Sequence, residues 1–236
     1  THQSLADTRE WLEASAQFGP LVKPIITPRF VPSCTSELMS GLGNLAEEYN
    51  VPVQSHLSEN HGEIDWVAAL HPEAANYTDV YYEHHLMGKV PTVMAHCIHL
   101  SDLEMDRMAE TQTMVSHCPY SNVNLSSGIA PIRKLFERKI PIGLGSDISG
   151  GHIVSMAKVL TEAIGLSKMK WVEVDQTYAP LTLSEAFYMA TKGGGKFFGK
   201  VGSFEKGCEL DALVIDDTTL FDPNERSLEE RLERWL

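Results

Sequence analysis

Short, nearly continuous apolar runs alternate along this chain with segments of helical periodicity. The runs are LVKPIIT (21–27), VPVQSH (51–56), PTVMAH (91–96), TMVSH (113–117) and IPIGLGSD (140–147). Each interval leaves room for a helix, and such apolar runs are typical of parallel strands that are buried on both faces. The pattern predicts an α/β protein with a parallel sheet or (β/α) barrel.

Helix signals lie between these runs. Three of them are N-terminal capping residues or boxes: Thr35, Ser101-x-x-Glu104 and Thr182-x-x-Glu185. Apolar positions three and four residues apart predict two further helices, around 132–136 and 156–163. The glycines at 193–195 are predicted to end the helix that begins at Thr182.

The character of the chain changes near Gly199. Residues 201–216 predict a tight glycine turn between two short strands, and SLEERLERWL (227–236) predicts an amphipathic helix. We therefore predict two domains. Residues 1–199 would be the C-terminal portion of the barrel, and residues 200–236 would be part of a small β-sandwich domain with a tail helix.

Candidate chemistry lies at the strand ends. Four of the five predicted strands end in a metal-binding or proton-transferring residue: His56, His96, His117 and Asp147. The carboxyl ends of parallel barrel strands open on one face, so these side chains should converge. If the strand ends near His56, the nearby Glu59 reaches the same site as a general acid/base while His56 holds a metal. Otherwise Glu59 is only a charge at the start of the next helix.

Composition narrows the possible partners. The net charge of −13, from 19 basic and 32 acidic residues, argues against nucleic acid. No apolar stretch is long enough to cross a bilayer, and THQSLADTREWLEA at the start does not resemble a signal peptide. We therefore expect a cytoplasmic protein without a membrane partner. Its four cysteines form no CxxC pair and are expected to be reduced.

Four motifs follow one another in the order and spacing of a known superfamily. They are HLSEN (56–60), MAHCIHLS (94–101), SHCPYSN (116–122) and GLGSDISGG (143–151). From about Pro24 to Asp216 the chain resembles the amidohydrolase superfamily, in the branch of the guanine deaminases and triazine hydrolases. The resemblance implies a (β/α)8 TIM-type barrel, of which strands four to eight are present here. It also implies zinc-dependent deamination of guanine to xanthine and ammonia.

The resemblance assigns roles to the strand-end residues. His56 and Asp147 would bind zinc, and Asp147 would also take a proton from the zinc-bound water. His96 would orient that water. Glu59 would protonate the ring nitrogen of the substrate and then the leaving ammonia. The catalytic residues are therefore expected to be Glu59, His96 and Asp147.

The same resemblance implies how the substrate is held. The segment TPRF (27–30) is similar to the motif with which guanine deaminases hold the purine, so Arg29 would hydrogen-bond the base and Phe30 would pack on its ring. His117 and Asn122 would shape the pocket. The implied substrate-binding residues are Arg29, Phe30, His56, Glu59 and Asp147.

The chain also departs from the family. Family members supply two further ligands from an H-x-H motif on the first barrel strand, and none of the 10 histidines here forms such a motif. We therefore expect a fragment that lacks the first three barrel strands, binds zinc weakly and shows no deaminase activity alone. The resemblance implies that the complete enzyme is a homodimer.

Two alternatives remain open at the level of sequence. One is a related aminohydrolase that acts on another purine, a pterin or a triazine, although the Arg29-Phe30 pair favours guanine. The other is a non-catalytic, metal-free binding or assembly subunit. A substrate panel would distinguish the first alternative from deamination of guanine. Stoichiometric zinc, or an upstream H-x-H motif, would argue against the second.

Overall fold

A four-stranded parallel sheet lies at the centre of the fold. The structure, a computed structural model, describes residues 1–219 and 223–236. The strands are β1 (Val53–Leu57), β2 (Thr92–His96), β3 (Met114–His117) and β4 (Ile142–Leu144). Their order in the sheet is β1-β2-β3-β4, and every neighbouring pair is parallel. The predicted α/β class with a parallel sheet is confirmed.

Along the chain, helices lie between the strands, before the first strand and after the last one. They are α1 (His2–Ser15), α2 (Ser36–Tyr49), α3 (His61–Leu70), α4 (Tyr77–Glu83), α5 (Asp102–Thr111), α6 (Pro119–Asn124), α7 (Ile132–Glu137), α8 (Met156–Glu173), α9 (Leu183–Tyr188) and α10 (Leu228–Trp235). The predicted capping signals are confirmed, since Thr35 accepts from the Leu38 amide at 3.1 Å and both capping boxes form. Over the described part of the chain, every helix is too short or too polar to traverse a lipid bilayer.

The alternation of β1 separates the core from the site. Val53, Ser55 and Leu57 are buried, whereas Gln54 is exposed and His56 is half-buried. Because successive strand residues point to opposite faces, Val53 and Leu57 pack in the hydrophobic core and His56 points to the other face. The apolar strand residues therefore stabilise the sheet, and the opposite face is left for chemistry.

The first predicted strand, LVKPIIT, is reduced to one pairing. Ile26 forms an isolated parallel bridge with Val53, in which its amide donates to Pro52 O and its carbonyl accepts from the Gln54 amide, both at 2.9 Å. Pro24 has no N–H to donate to a ladder, and Leu21 is 94% exposed. The run therefore continues the parallel order of the sheet without forming a strand.

The two short strands predicted within 201–216 are not formed. Leu213 is 81% exposed and Val214 is fully exposed, so this segment buries little apolar surface. A two-stranded hairpin is marginal in water without a further strand or helix to pack on. The predicted tail helix forms as α10. The division into 1–199 and 200–236 stays a prediction, and residues 220–222 of the second part lie outside the described residues.

The helix that begins after Thr182 ends at the glycines 193–195, as the sequence predicted, because the chain forms a turn from residue 196 onward. The helix continues from α9 through a π-helical turn, Met189–Gly193. A Cβ atom at Gly193 would lie 2.8 Å from the Ile142 carbonyl oxygen, and one at Gly143 would lie 2.9 Å from the Gly194 Cα. The missing side chains therefore also let this helix pack directly against β4.

Candidate active site

One pocket of about 200 Å³ opens at the carboxyl ends of the strands. The lining residues are Arg29, Phe30, His56, Glu59, Asn60, Glu63, His96, Leu125 and Asp147. This set includes every residue that the sequence assigned to catalysis, metal binding or substrate binding. Their convergence in one place is therefore observed, whereas their individual roles stay predictions.

A sharp turn after β1 carries Glu59 into the pocket. The strand ends at Leu57, and Ser58 adopts the left-handed conformation with φ 49°. The Ser58 carbonyl accepts from the amides of Ile98 and His99, both at 3.1 Å, which ties this turn to the chain that follows β2. The bend that the HLSEN spacing required is present. Glu59 lines the pocket and directly precedes Asn60, the N-cap of α3, so its position fits both the proton-transfer role and the helix-entry charge.

The ring of His56 is oriented by a backbone carbonyl. Its Nδ1 lies 2.6 Å from Arg29 O, and since a carbonyl only accepts, Nδ1 carries the proton and donates. The backbone of His56 is held as well, because the Tyr81 hydroxyl donates to its carbonyl at 2.8 Å. In the neutral ring the lone pair then belongs to Nε2. This arrangement is typical of a histidine that is ready to bind a metal.

His96 lies between the amide of Asn122 and the carboxylate of Glu59. The His96 Nδ1 to Asn122 Oδ1 distance is 2.9 Å, and its Nε2 lies 3.9 Å from Glu59 Oε2. The imidazole is stacked on that of His56, with centroids 5.3 Å apart. His96 is buried to 1% exposure, so its orientation is set by packing and by Asn122. Asn122 thus acts on the pocket through His96.

His117 lies outside the pocket lining, contrary to the predicted convergence of all four strand-end residues. It is buried, and within residues 1–219 and 223–236 its Nδ1 has no hydrogen-bond partner. Burial, reinforced by the neighbouring His96, lowers the pKa of His117 to about 3. The ring is therefore neutral at pH 7 and places no charge behind the site.

Asp147 follows β4 in a tight loop of the GLGSDISGG motif. Its backbone is left-handed, with φ 45°, and its carbonyl accepts from the Gly151 amide at 2.6 Å. A Cβ atom on Gly150 would lie 2.7 Å from Asp147 Oδ2 and 2.6 Å from Ser121 Oγ. Only glycine fits there without moving the carboxylate, so the absence of a side chain at Gly150 lets Asp147 keep its position in the pocket.

Arg29 and Phe30 form one wall of the pocket. The Arg29 guanidinium lies 5.3 Å from the centre of the Phe30 ring, and that ring meets Trp66 edge-on at 6.2 Å. A guanidinium fork beside an aromatic face suits a flat heterocycle that carries carbonyl oxygens. The wall therefore fits the predicted purine-binding role.

Glu63 is a pocket residue that the sequence analysis missed. Its carboxylate accepts from the Glu59 amide at 2.9 Å and from the Tyr77 hydroxyl at 2.6 Å. Burial is the main cause that raises the pKa of Tyr77, so the phenol stays protonated and donates. The spacing Asn60-x-x-Glu63 was a visible signal. A capping box, however, predicts that the Glu63 carboxylate accepts from the backbone amide of the N-cap, Asn60. In the structure it accepts from the amide of Glu59 instead.

Replacing Glu63 by Ala should destabilise the protein. The substitution leaves the Tyr77 hydroxyl and the Glu59 amide without an acceptor, and each buried unsatisfied group costs about 1–3 kcal/mol. We expect the free energy of unfolding to fall by about 2–5 kcal/mol in urea titrations of the full-length protein. Asp65→Ala, on the exposed face of the same helix, is the matched control. Equal stability of the two variants would contradict this role of Glu63.

The donor types in the pocket suit zinc, although their number is small. His56 offers a free Nε2, and Asp147 offers a carboxylate in the same pocket. Across the described ranges no cluster of three His, Cys, Asp or Glu side chains is placed to hold a metal. A catalytic zinc usually takes three protein ligands, so these two residues fit as part of a ligand set.

A family model and known relatives match this sequence over most of its length. Residues 2–233 match the amidohydrolase family. The guanine deaminase of Dictyostelium discoideum is 47% identical over 220 residues, which are 92% of this chain and 48% of that protein. The chain thus spans about half the length of the curated relatives it matches.

Solved structures agree in fold. A guanine deaminase from C. acetobutylicum, with guanine bound in its active site, superposes with a TM-score of 0.95 and 52% identity. The match covers 99% of this chain and 55% of that one. An adenosine deaminase from Xanthomonas campestris with bound zinc superposes with a TM-score of 0.83, covering 96% of this chain and 51% of that one. At 23% identity, the latter shows the shared fold alone.

Proposed function

Because this chain belongs to the amidohydrolase family, we propose that the protein it forms part of converts guanine to xanthine and ammonia. The observation that carries the proposal is the single pocket that joins Glu59, His56 and Asp147 to the wall of Arg29 and Phe30. The identity to guanine deaminases supports the choice of substrate.

Zinc is the cofactor that we infer. His56 Nε2 and the Asp147 carboxylate would hold it, and the H-x-H pair of the family would complete the ligand set in the whole protein. When bound, zinc lowers the pKa of a coordinated water from about 15.7 to about 7 and so makes hydroxide available at neutral pH. The imidazole and carboxylate donors in the pocket support this choice.

Glu59 is the proton carrier in the proposed reaction. Oxygen replaces the amino group at a ring carbon, so the C–N bond breaks, a C–O bond forms, and protons must reach both the ring nitrogen and the leaving ammonia. A single carboxyl group at the pocket mouth can deliver them in turn. Asp147 accepts a proton from the attacking water. His96, with Nε2 facing Glu59 Oε2 at 3.9 Å, orients that water.

Arg29 and Phe30 select the substrate in this proposal. Guanine carries a ring carbonyl that adenine lacks, and the guanidinium can bind this carbonyl with directed hydrogen bonds. Phe30, braced edge-on by Trp66, offers a face on which the purine stacks. A binding site built to pair a carbonyl disfavours bases that lack it, because the cation is then desolvated without a partner.

The full-length protein should deaminate guanine much faster than adenine, cytosine or a triazine. The expected kcat/KM preference over adenine is at least about 10²-fold, since adenine lacks the ring carbonyl and leaves the Arg29 guanidinium unpaired. Cytosine and a triazine are single rings and offer less surface than a purine for stacking on Phe30. Ultraviolet spectroscopy of each base follows the reaction directly. Equal or greater turnover of any other member of the panel would rule out the guanine assignment.

The remaining assignments rest on the resemblance and on charge. We infer a homodimer in the cytoplasm, without nucleic acid as a partner because the chain carries a net charge of −13. Light scattering of the full-length protein measures its mass in solution and thus its subunit number.

A further inference from the structure

We propose that Ser127 is a positioning residue for Glu59. The inference deepens the proposed function and rests on it. The Ser127 hydroxyl donates to Glu59 Oε1 at 3.1 Å, across 68 positions of sequence. Ser127 is 8% exposed, so the bond is largely shielded from water. No motif in the sequence indicated this contact.

The bond distinguishes the two oxygens of the carboxylate. Oε1 accepts from Ser127, whereas Oε2 faces His96 Nε2 at 3.9 Å. A carboxyl group that passes protons to two sites on a substrate must keep one oxygen free and directed at the substrate. Binding of Oε1 by Ser127 restricts rotation of the side chain and leaves Oε2 for proton transfer.

The loop that carries Ser127 is itself firmly held. The Ser127 amide donates to Asn122 O, and the Ser127 carbonyl accepts from His99 Nε2, both at 2.8 Å. Two residues later, the Lys170 ammonium donates to Ile129 O at 2.7 Å. These bonds come from α6, from the chain after β2 and from α8. A hydroxyl on such a loop has a defined position and can fix the rotamer of a mobile acid.

The same residues connect this loop to the rest of the site. The backbone carbonyl of Asn122 accepts a hydrogen bond from the Ser127 amide, and the Asn122 side chain contacts His96. The main chain of Glu59 is held separately, by Glu63. Glu59 is thus fixed at the backbone from α3 and at the carboxylate from the loop after α6. Within this arrangement, Ser127 is the residue that donates a hydrogen bond to the Glu59 carboxylate, at the oxygen that is not used for proton transfer.

The decisive experiment is a double-mutant cycle in the full-length protein. Ser127→Ala should lower kcat for guanine by about 10- to 100-fold, the value of a hydrogen bond to a charged group, and should change KM by less than about threefold. In a Glu59→Ala background the same substitution should change the single-turnover rate by less than about twofold, because its partner is absent. Ser126→Ala, at the exposed neighbouring position, should match the wild type.

Crystal structures of the wild type and of Ser127→Ala provide a readout that does not depend on turnover. The Glu59 carboxylate should leave its wild-type rotamer or become disordered when Ser127 is Ala. An unchanged carboxylate, or equal losses of rate in both backgrounds of the cycle, would overturn the proposal. Should the wild type not deaminate guanine, the proposed function fails, and the position of Glu59 in the two structures still decides the role of Ser127.

Discussion

Glu59→Gln in the full-length protein is expected to lower kcat for guanine by roughly 10² to 10⁴-fold, the usual contribution of a general acid/base. Gln keeps the size of the side chain and can still accept from Ser127 through its Oε1 atom. It cannot carry a proton between the ring nitrogen and the leaving amine. The loss should therefore fall on kcat, with zinc content and KM close to those of the wild type.

The assay for Glu59→Gln combines steady-state kinetics with metal analysis of the same preparation. Glu173→Gln, an exposed glutamate at the end of α8, is the control for the chemical change. Retention of near-normal kcat in Glu59→Gln would show that another group carries the proton. Loss of zinc would instead assign Glu59 a structural part in the metal site.

Asp147→Ala is expected to remove both zinc and activity. The substitution deletes a carboxylate that suits the metal and is predicted to accept a proton, and without activation the attacking water keeps a pKa near 15.7. We expect kcat/KM to fall by at least about 10³-fold and zinc to drop well below one ion per chain.

Asp147→Asn separates the two parts of this prediction. It preserves the shape of the side chain but not its charge, so zinc should be retained better than in Asp147→Ala while activity is still lost. Asp211→Ala, at an exposed position, controls for a general effect of removing an aspartate. Full zinc occupancy in Asp147→Ala, measured by elemental analysis, would exclude Asp147 from the ligand set.

The local parts of the fold follow from local rules. The apolar runs that became β1 to β4 and the capping boxes of α5 and α9 were legible in the sequence, because each depends on residues a few positions apart. The run at 21–27 and the segment 201–216 were misjudged as strands. Strand formation depends on a neighbouring strand to pair with and on apolar surface that becomes buried. Periodicity in the sequence reveals neither of these.

The site shows the same division. The sequence alone predicted that His56, Glu59, His96 and Asp147 lie in one pocket, and they do. The carboxyl ends of successive parallel strands open on one face, and the order of the motifs showed which strand each residue follows. The sequence also required the bend after β1, since His56 and Glu59 reach one site only if the strand stops between them.

Only the tertiary structure decided what surrounds these residues. His117 lies outside the pocket lining. Glu63 accepts a hydrogen bond from the Glu59 amide, and Ser127 donates one to the Glu59 carboxylate. A contact between residues 68 positions apart has no signature in spacing or composition, because it depends on how loops from different elements pack. The sequence by itself therefore determined which groups could do chemistry, and packing decided how each is aimed, since orientation is set by hydrogen bonds between distant segments.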